Sequence, residues 1–232
     1  TLYQLLRRHD LELISVWSPT FFLTLFQALD RWAEELGELL QDGGRLTGQH
    51  LPADRSAWIR LEAYLESGEA QQLWPDLKLV SCWQDGSSAP FFAELQQRLP
   101  HAAFQAKGLI STEGVVTVPD LQGRPCLAVD SGFYEFLDSN NQALFAHQIQ
   151  EGEEYEVVLT TGGGLYRYCT GDKVLCQESI NGLPVLRFTG RCGLVSDLVG
   201  EKLSDDFVTH CLQEIPGFRM LVPSVEDSPH YV

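Results

Sequence analysis

Three short segments carry residue types that could do chemistry. Lys107-Gly108-Leu109-Ile110-Ser111-Thr112-Glu113-Gly114 sets hydroxyls and one carboxylate in a glycine-bounded loop. Backbone amides and hydroxyls of such a loop can hydrogen-bond phosphate oxygens, and a carboxylate can hold Mg²⁺ against a polyphosphate; a solvated hydroxyl-rich turn would have the same composition. Thr160-Thr161-Gly162-Gly163-Gly164-Leu165-Tyr166-Arg167-Tyr168-Cys169-Thr170-Gly171-Asp172 ends in a Thr-Gly-Asp corner. An ionised Asp172 is acceptor-only and can take both hydroxyls of a ribose, or simply close a β-turn on nearby amides. In Phe188 to Ser204, Arg191 is the only cation between Arg187 and Lys202. A cation in so apolar a stretch needs a partner: a phosphate, a ribose, or a carboxylate such as Asp172 or Asp197. Familiar catalytic signatures are absent, with no Walker loop, Gly-x-Gly-x-x-Gly, Gly-x-Ser-x-Gly or His-Glu-x-x-His, and the six histidines lack metal-ligand spacing.

The elements that must position these segments change character along the chain. Ser18-Pro19, a periodic apolar stretch (Phe22, Leu25, Phe26, Leu29, Trp32, Ala33, Leu36, Leu39, Leu40) and Gly43-Gly44 predict one complete helix. A second helix is expected from Asp54 to Ser67, a buried strand over Leu77 to Trp83, a third helix from Ser87 or Ser88 to about Leu99, and a short strand over Ala103 to Gln105. Alternating helices and strands imply a parallel α/β sheet. From Gly114 the texture becomes short β-rich runs (VVTV, CLAV, FYEFL, YEVVLTT, LYRY, DKVLC, PVLRF) separated by turn residues, as expected of an antiparallel sheet or barrel. Ser204 to Ile215 returns to helical periodicity.

The chain has 232 residues, 44% hydrophobic and 21% charged, with 32 acidic against 16 basic side chains and a formal net charge of −16. Such a charge excludes nucleic acid and anionic membrane as partners, because phosphate binding needs clustered Lys and Arg. The longest apolar run, Thr20 to Leu29, is half what a spanning helix needs, about 20 residues. No secretory signal is visible and the six cysteines are scattered without Cys-x-x-Cys spacing, so a cytoplasmic location is expected. Thr1 is not a natural start, and the chain reads as a piece of a longer protein.

The three segments, in their order, resemble the adenylate-forming superfamily of acyl-CoA synthetases and firefly luciferase. There a Tyr-Gly-x-Thr-Glu motif precedes Tyr-x-Thr-Gly-Asp and then a Gly-Arg segment that hinges into a small C-terminal domain. The closer likeness is to the Gretchen Hagen family of acyl-acid amido synthetases, carried by Phe104 to Gly114 (FQAKGLISTEG), Phe133 to Leu137 (FYEFL), Glu153 to Asp172 (EEYEVVLTTGGGLYRYCTGD) and Phe188 to Ser204. The resemblance implies an α/β fold: the latter part of a large adenylation domain, parallel α/β over 1–113 and antiparallel β-rich over 114–190, then a hinge and the start of a small lid over 191–232. It implies ATP and Mg²⁺ as cofactors, and a small-molecule acyl acid and an amino acid as substrates. By residue, it places Ser111, Thr112 and Glu113 at the phosphates, with Glu113 toward Mg²⁺. Asp172 falls on the ribose hydroxyls, Arg191 on ribose or phosphate, Gly86 and Ser87 against the adenine, and Tyr168 as a candidate aromatic contact to it. Thr112, Glu113 and Arg191 would serve catalysis. Acyl-CoA ligation, or a non-catalytic nucleotide-binding module, would use the same residues. Leu109-Ile110 stand where many relatives carry Tyr-Gly. The superfamily's Ser/Thr/Gly-rich phosphate loop has no counterpart before Ser15, and little follows Leu203, which implies an incomplete enzyme.

Overall fold

A computed structural model describes residues 1–46, 48–192, 195–196, 203–217, 219–224 and 230–232. The chain divides into two compact units, Thr1–Gln84 with Ser88–Lys107, and Asp85–Ser87 with Gly108–Val232.

In the first unit the elements run α1 (Leu2–Leu6), β1 (Leu13–Ser15), α2 (Pro19–Arg31), α3 (Ala33–Asp42), β2 (Gly44–Leu46), β3 (Gln49–Leu51), α4 (Arg55–Ser67), β4 (Leu79–Cys82), α5 (Ala89–Arg98) and β5 (Ala103–Ala106). The expected parallel sheet is present in the order β1-β4-β5, with Ser15 opposite Ser81 and Val80 opposite Phe104. Its apolar face, Ile14, Val80, Cys82 and Ala106, is buried, because side chains alternate across a strand. The helical core centres on Trp74, whose ring meets Phe22 and Phe26 at 5.6 and 6.0 Å and whose indole N–H donates to the Leu5 carbonyl at 3.0 Å. That bond lets a large amphipathic ring be fully buried without an orphaned donor. Asp54 caps α4 through the Ala57 amide at 3.0 Å, and Gly68 closes it in the left-handed conformation.

The predicted single helix from Ser18 to Gly43 is two helices. Ser18 does cap the first, accepting from the Thr20 amide, and Gly43 does close the second, but Trp32 leaves the helical region (φ −115°, ψ 22°). The buried positions Phe22, Phe26, Leu29, Leu36 and Leu40 keep helical spacing across the break, so periodicity alone could not reveal it. The break lets α2 pack on α5 while α3 packs on α4, and Glu34 and Glu35 then sit in a new first turn, where acidic side chains are favoured.

In the second unit β6 (Thr117–Pro119), β7 (Pro125–Leu127), β8 (Phe133–Leu137), β9 (Ala143–Phe145), β10 (Glu154–Thr160), β11 (Tyr168–Ile180) and β12 (Leu183–Arg191) form one antiparallel sheet in the order β6-β7-β12-β11-β10-β8-β9. Tyr134, Phe136, Val157, Leu159, Val174 and Cys176 are buried in it. Two expectations are corrected here. Leu165 to Tyr168 is no strand of its own: residues 161–167 form a turn, with Thr161 donating to Leu165, and β11 begins only at Tyr168. The Thr-Gly-Asp segment is no corner either, but lies inside β11. Beyond it come β13 (Val195–Ser196), paired with β14 (Leu203–Ser204), then α6 (Asp205–Leu212), shorter than predicted, and β15 (Pro223–Ser224), paired with β16 (His230–Tyr231). Asp197 and Lys202 of the expected hinge lie outside the described residues. No helix among the described residues is long and apolar enough to cross a membrane.

Gly108 ties the Ser111–Glu113 loop to β6. Its backbone is left-handed (φ 74°), a Cβ there would stand 2.4 Å from the Thr117 carbonyl oxygen, and the next amide, Leu109, donates to the Thr117 hydroxyl at 2.7 Å. Gly108→Ala is therefore expected to destabilise the chain by about 2 kcal/mol or more, combining backbone strain with displaced contacts. Urea unfolding checks this; an unchanged midpoint would show that the loop has no such anchor.

Candidate functional site

The site is built on a departure from regular β structure. Across β10 and β11, Val158 faces Cys169 and Glu156 faces Lys173, so Thr170, Gly171 and Asp172 together oppose Val157 alone. Extra residues must loop out of the ladder, and such bulges re-aim side chains. Gly171 takes the left-handed turn this requires (φ 75°). Thr170 fastens it, donating its hydroxyl to the Val157 carbonyl at 3.3 Å and accepting from the Asp172 amide at 3.0 Å. A second irregularity on β12 makes Thr189 the extra residue between the pairs Lys173–Gly190 and Val174–Phe188, and leaves Asp172 directly opposite Arg191.

Asp172 is buried and its carboxylate receives Arg191 Nε at 3.0 Å, while a terminal nitrogen of the same guanidinium donates to the Thr170 carbonyl at 2.7 Å. Arg191 bridges both sides of the bulge with its outer half in solvent. Burial pushes the Asp172 carboxyl above the ordinary aspartate range, the nearby charge of Glu113 pushes the same way, and Arg191 and the Thr170 hydroxyl pull it back. Glu113 is held below the usual carboxylate range by its own backbone N–H and the hydroxyls of Ser111 and Thr112, with the Arg191 charge adding to this; Thr112 Oγ1 lies 3.0 Å from Glu113 Oε2. The predicted Ser111, Thr112, Glu113, Asp172 and Arg191 thus share one electrostatic neighbourhood. Ser111 closes the loop through Gly114, and Gly114 sits where a Cβ would touch Thr161, in the turn after β10.

Gly86, in the one-turn helix Gly86–Ser88, packs against β12: it is left-handed (φ 58°), and a Cβ there would come within 3.2 Å of the Phe188 ring, three residues before Arg191; Ser87 follows it in the same turn. Tyr168 stands half-exposed at the head of β11, opposite Leu159. Leu109 is buried and serves packing. Among the described residues no three His, Cys, Asp or Glu side chains gather to hold a metal by themselves. The donor set here, one carboxylate with flanking hydroxyls, is all oxygen and suits Mg²⁺ shared with phosphate oxygens.

Two features escaped the sequence reading. Glu135, buried on β8, is paired with Arg167 at 2.9 Å, and Arg167 itself is left-handed (φ 48°); the pair fixes the turn that leads into β11. Asp85, immediately before Gly86, is buried, which drives its carboxyl up to about 6 against the opposing charge of Arg187. A lone acid closing the apolar run LKLVSCW was its only signal.

A profile described as the GH3 family N-terminal domain matches residues 1–104, and one described as the GH3 family central domain matches residues 126–191, together well over half of the chain. The chain belongs to the GH3 family. The GH3 central-domain match contains Glu135, Arg167, Asp172 and Arg191. A GH3 domain-containing protein of Mus musculus is 29% identical over 250 residues, covering 95% of this chain and 46% of that protein. The jasmonoyl-L-amino acid synthetase JAR6 of Nicotiana attenuata is 29% identical over 192 residues, covering 71% and 33%. Among solved structures, the AtGH3.15 acyl acid amido synthetase in complex with 2,4-DB superposes with a TM-score of 0.77 at 22% identity, over 91% of this chain and 41% of that one. That likeness establishes the GH3 fold, a parallel sheet and a large antiparallel sheet. The chain spans about half or less of the length of these curated GH3 relatives.

Asp85 gives a pH-dependent stability of definite sign. Its folded value, about 6, lies above the ordinary 3.8, so between those values the unfolded chain has released a proton that the folded chain keeps. Stability then falls as pH rises through that window. Asp85→Asn is expected to be more stable than the parent at pH 8, by on the order of 2 kcal/mol, and equal to it near pH 4. Urea titrations at both pH values check this; a less stable variant at pH 8 would mean that the Asp85 carboxylate is held by a favourable partner in the fold and is not penalised by burial.

Proposed function

We propose that this chain belongs to an enzyme that activates a carboxylic acid with ATP and joins it to an amino acid, an acyl-acid amido synthetase. The observation that carries the reading is the buried Asp172 carboxylate, aimed by the Thr170–Asp172 bulge and held by Arg191 beside Glu113. A fold has no need of such an arrangement, and a nucleotide does. GH3 membership and the printed names of relatives, jasmonoyl and indole-3-acetic acid amido synthetases, support the same chemistry.

Asp172 accepts the ribose hydroxyls with the lone pairs that Arg191 leaves free, and Arg191 keeps it ionised for that task. The solvent-facing half of the guanidinium is available to a ribose or phosphate oxygen. Ser111 and Thr112 offer hydroxyls to phosphate oxygens, and Gly86, packed against the Phe188 ring, with Ser87 beside it offers a side-chain-poor surface to adenine. Glu113 would hold Mg²⁺, which would neutralise charge on the polyphosphate. In the first step an acyl carboxylate oxygen bonds to the α-phosphorus and the bond to pyrophosphate breaks. In the second the amine nitrogen bonds to the acyl carbon, AMP leaves with the bridging oxygen, and the amine proton passes to solvent. Positioning and charge neutralisation supply most of such catalysis. The protein works in the cytoplasm on small molecules.

Calorimetric titration with Mg-ATP tests the reading. Saturable binding is expected, weakened by about 1–3 kcal/mol in Asp172→Ala, the loss of charge-assisted hydrogen bonds. Incubation with ATP, an aromatic acid and either an amino acid or coenzyme A should yield the amide and not the thioester. No binding by a cooperatively folded chain would contradict the nucleotide reading, and a thioester product would contradict the acceptor.

A further inference from the structure

One turn of the second unit touches both halves of the site. Residues 161–167 join β10 to β11, closed by backbone bonds from Thr161 N to Leu165 O at 2.9 Å and from Gly164 N to Thr161 O at 3.1 Å. At its start, Thr161 stands 3.4 Å from where a Cβ on Gly114 would lie, next to Glu113. At its end, Arg167 directly precedes Tyr168 and the run into Thr170-Gly171-Asp172. Arg167 is left-handed, at φ 48°. The other non-glycine residues of positive φ among the described ones are Asn141 and Asn181, a residue type that tolerates this conformation. A long side chain there is strained, and the strain persists only where the surroundings impose it.

Two contacts impose it. The Arg167 amide donates to Thr160 Oγ1 at 2.9 Å, and its Nε donates to Glu135 Oε2 at 2.9 Å. Glu135 on β8 faces Val158 on β10, and Val158 faces Cys169 on β11, so the guanidinium reaches over the middle strand and ties three strands together just ahead of the bulge. The partners are unequal: Glu135 is 8% exposed, whereas the Arg167 side chain is 65% exposed. A buried acid paired with a solvated cation adds little stability, since an apolar side chain fills such a place as well or better. What the pair supplies and an apolar contact lacks is direction. It fixes where the turn ends and therefore the register at which β11 begins. With Val158 facing Cys169 and Glu156 facing Lys173, that register decides which residues loop out, and they are Thr170, Gly171 and Asp172.

We propose that Arg167 is a positioning residue: paired with Glu135, it holds the head of β11 so that the bulge presents the Asp172 carboxylate to the ribose of the nucleotide. The proposal deepens the function above and rests on that reading for the ligand.

Variants of the whole chain separate direction from bulk. Arg167→Gly accepts the left-handed backbone freely but lacks the guanidinium. Glu135→Met combined with Arg167→Met removes the pair without leaving a buried charge, and its urea midpoint should equal or exceed that of the parent. In both, hydrogen exchange should quicken at the Asp172 amide, which donates to Thr170 Oγ1, and stay unchanged at the Cys176 amide further along β11, which donates to the Glu153 carbonyl. The parent should bind Mg-ATP about 5-fold or more tighter than Mg-2′,3′-dideoxy-ATP. That preference should fall to near one in both variants, and Arg167→Lys should recover part of it. A stable double variant that keeps the slow Asp172 exchange and the nucleotide preference would reduce the pair to filling and overturn the proposal. Equal quickening at Asp172 and Cys176 would mean a general brace and overturn it too. Should the double variant fail to fold, Arg167→Gly and Arg167→Lys decide by the same readouts. A parent without the preference would sink the ribose reading and this role with it; a parent that has it, with variants that keep it, would overturn this inference alone.

Discussion

The second unit depends on how a buried carboxylate is kept ionised. Asp172 sits almost out of solvent on a strand, where burial disfavours its charge, and another acid, Glu113, lies within electrostatic reach. Arg191 is the counterweight, and its position dictates much else: β12 must run out to residue 191, its irregularity at Thr189 must bring Arg191 opposite Asp172, and Gly171 must take a conformation costly to other residues. Replacing such a pair with apolar side chains commonly leaves a fold as stable or more so. The pair is better understood as a charge held ready for a partner than as a brace.

The same balance links the loop to the sheet. Glu113 is only partly buried and is held ionised by hydroxyls and its own amide, so it adds negative potential beside Asp172 with less desolvation than Asp172 suffers. Two carboxylates and one guanidinium leave the site net negative. A magnesium nucleotide suits that balance better than a free polyphosphate would, because the cation offsets the repulsion between phosphate and the two acids.

Much of this was legible in the sequence, and the reasons differ by element. The strand FYEFL and the α4 boundaries follow from an aromatic-rich run between turn residues, the Asp54 cap and the Gly68 stop, all of them local signals. The break at Trp32 was not legible, since apolar spacing runs through it unchanged and only the different packing partners of α2 and α3 require it. Thr170-Gly171-Asp172 was legible as a special backbone site but not as a bulge, because its character depends on the register of β10 across the sheet. The Asp172–Arg191 pairing was one of the partners open to Arg191, and a separation of nineteen residues carries no distance until the hairpin of β11 and β12 is formed. Asp85 and the Glu135–Arg167 pair were missed for a shared reason: burial and pairing are properties of three-dimensional neighbours, and single residues do not announce them.

The most direct test of the account compares ATP with 2′,3′-dideoxy-ATP, each with Mg²⁺, for binding to the parent chain and to Asp172→Asn. If Asp172 receives the ribose hydroxyls, removing them should cost the parent about 1–3 kcal/mol and cost the variant almost nothing, so that the two losses are not additive. Equal losses in both proteins would place the ribose elsewhere and contradict the account.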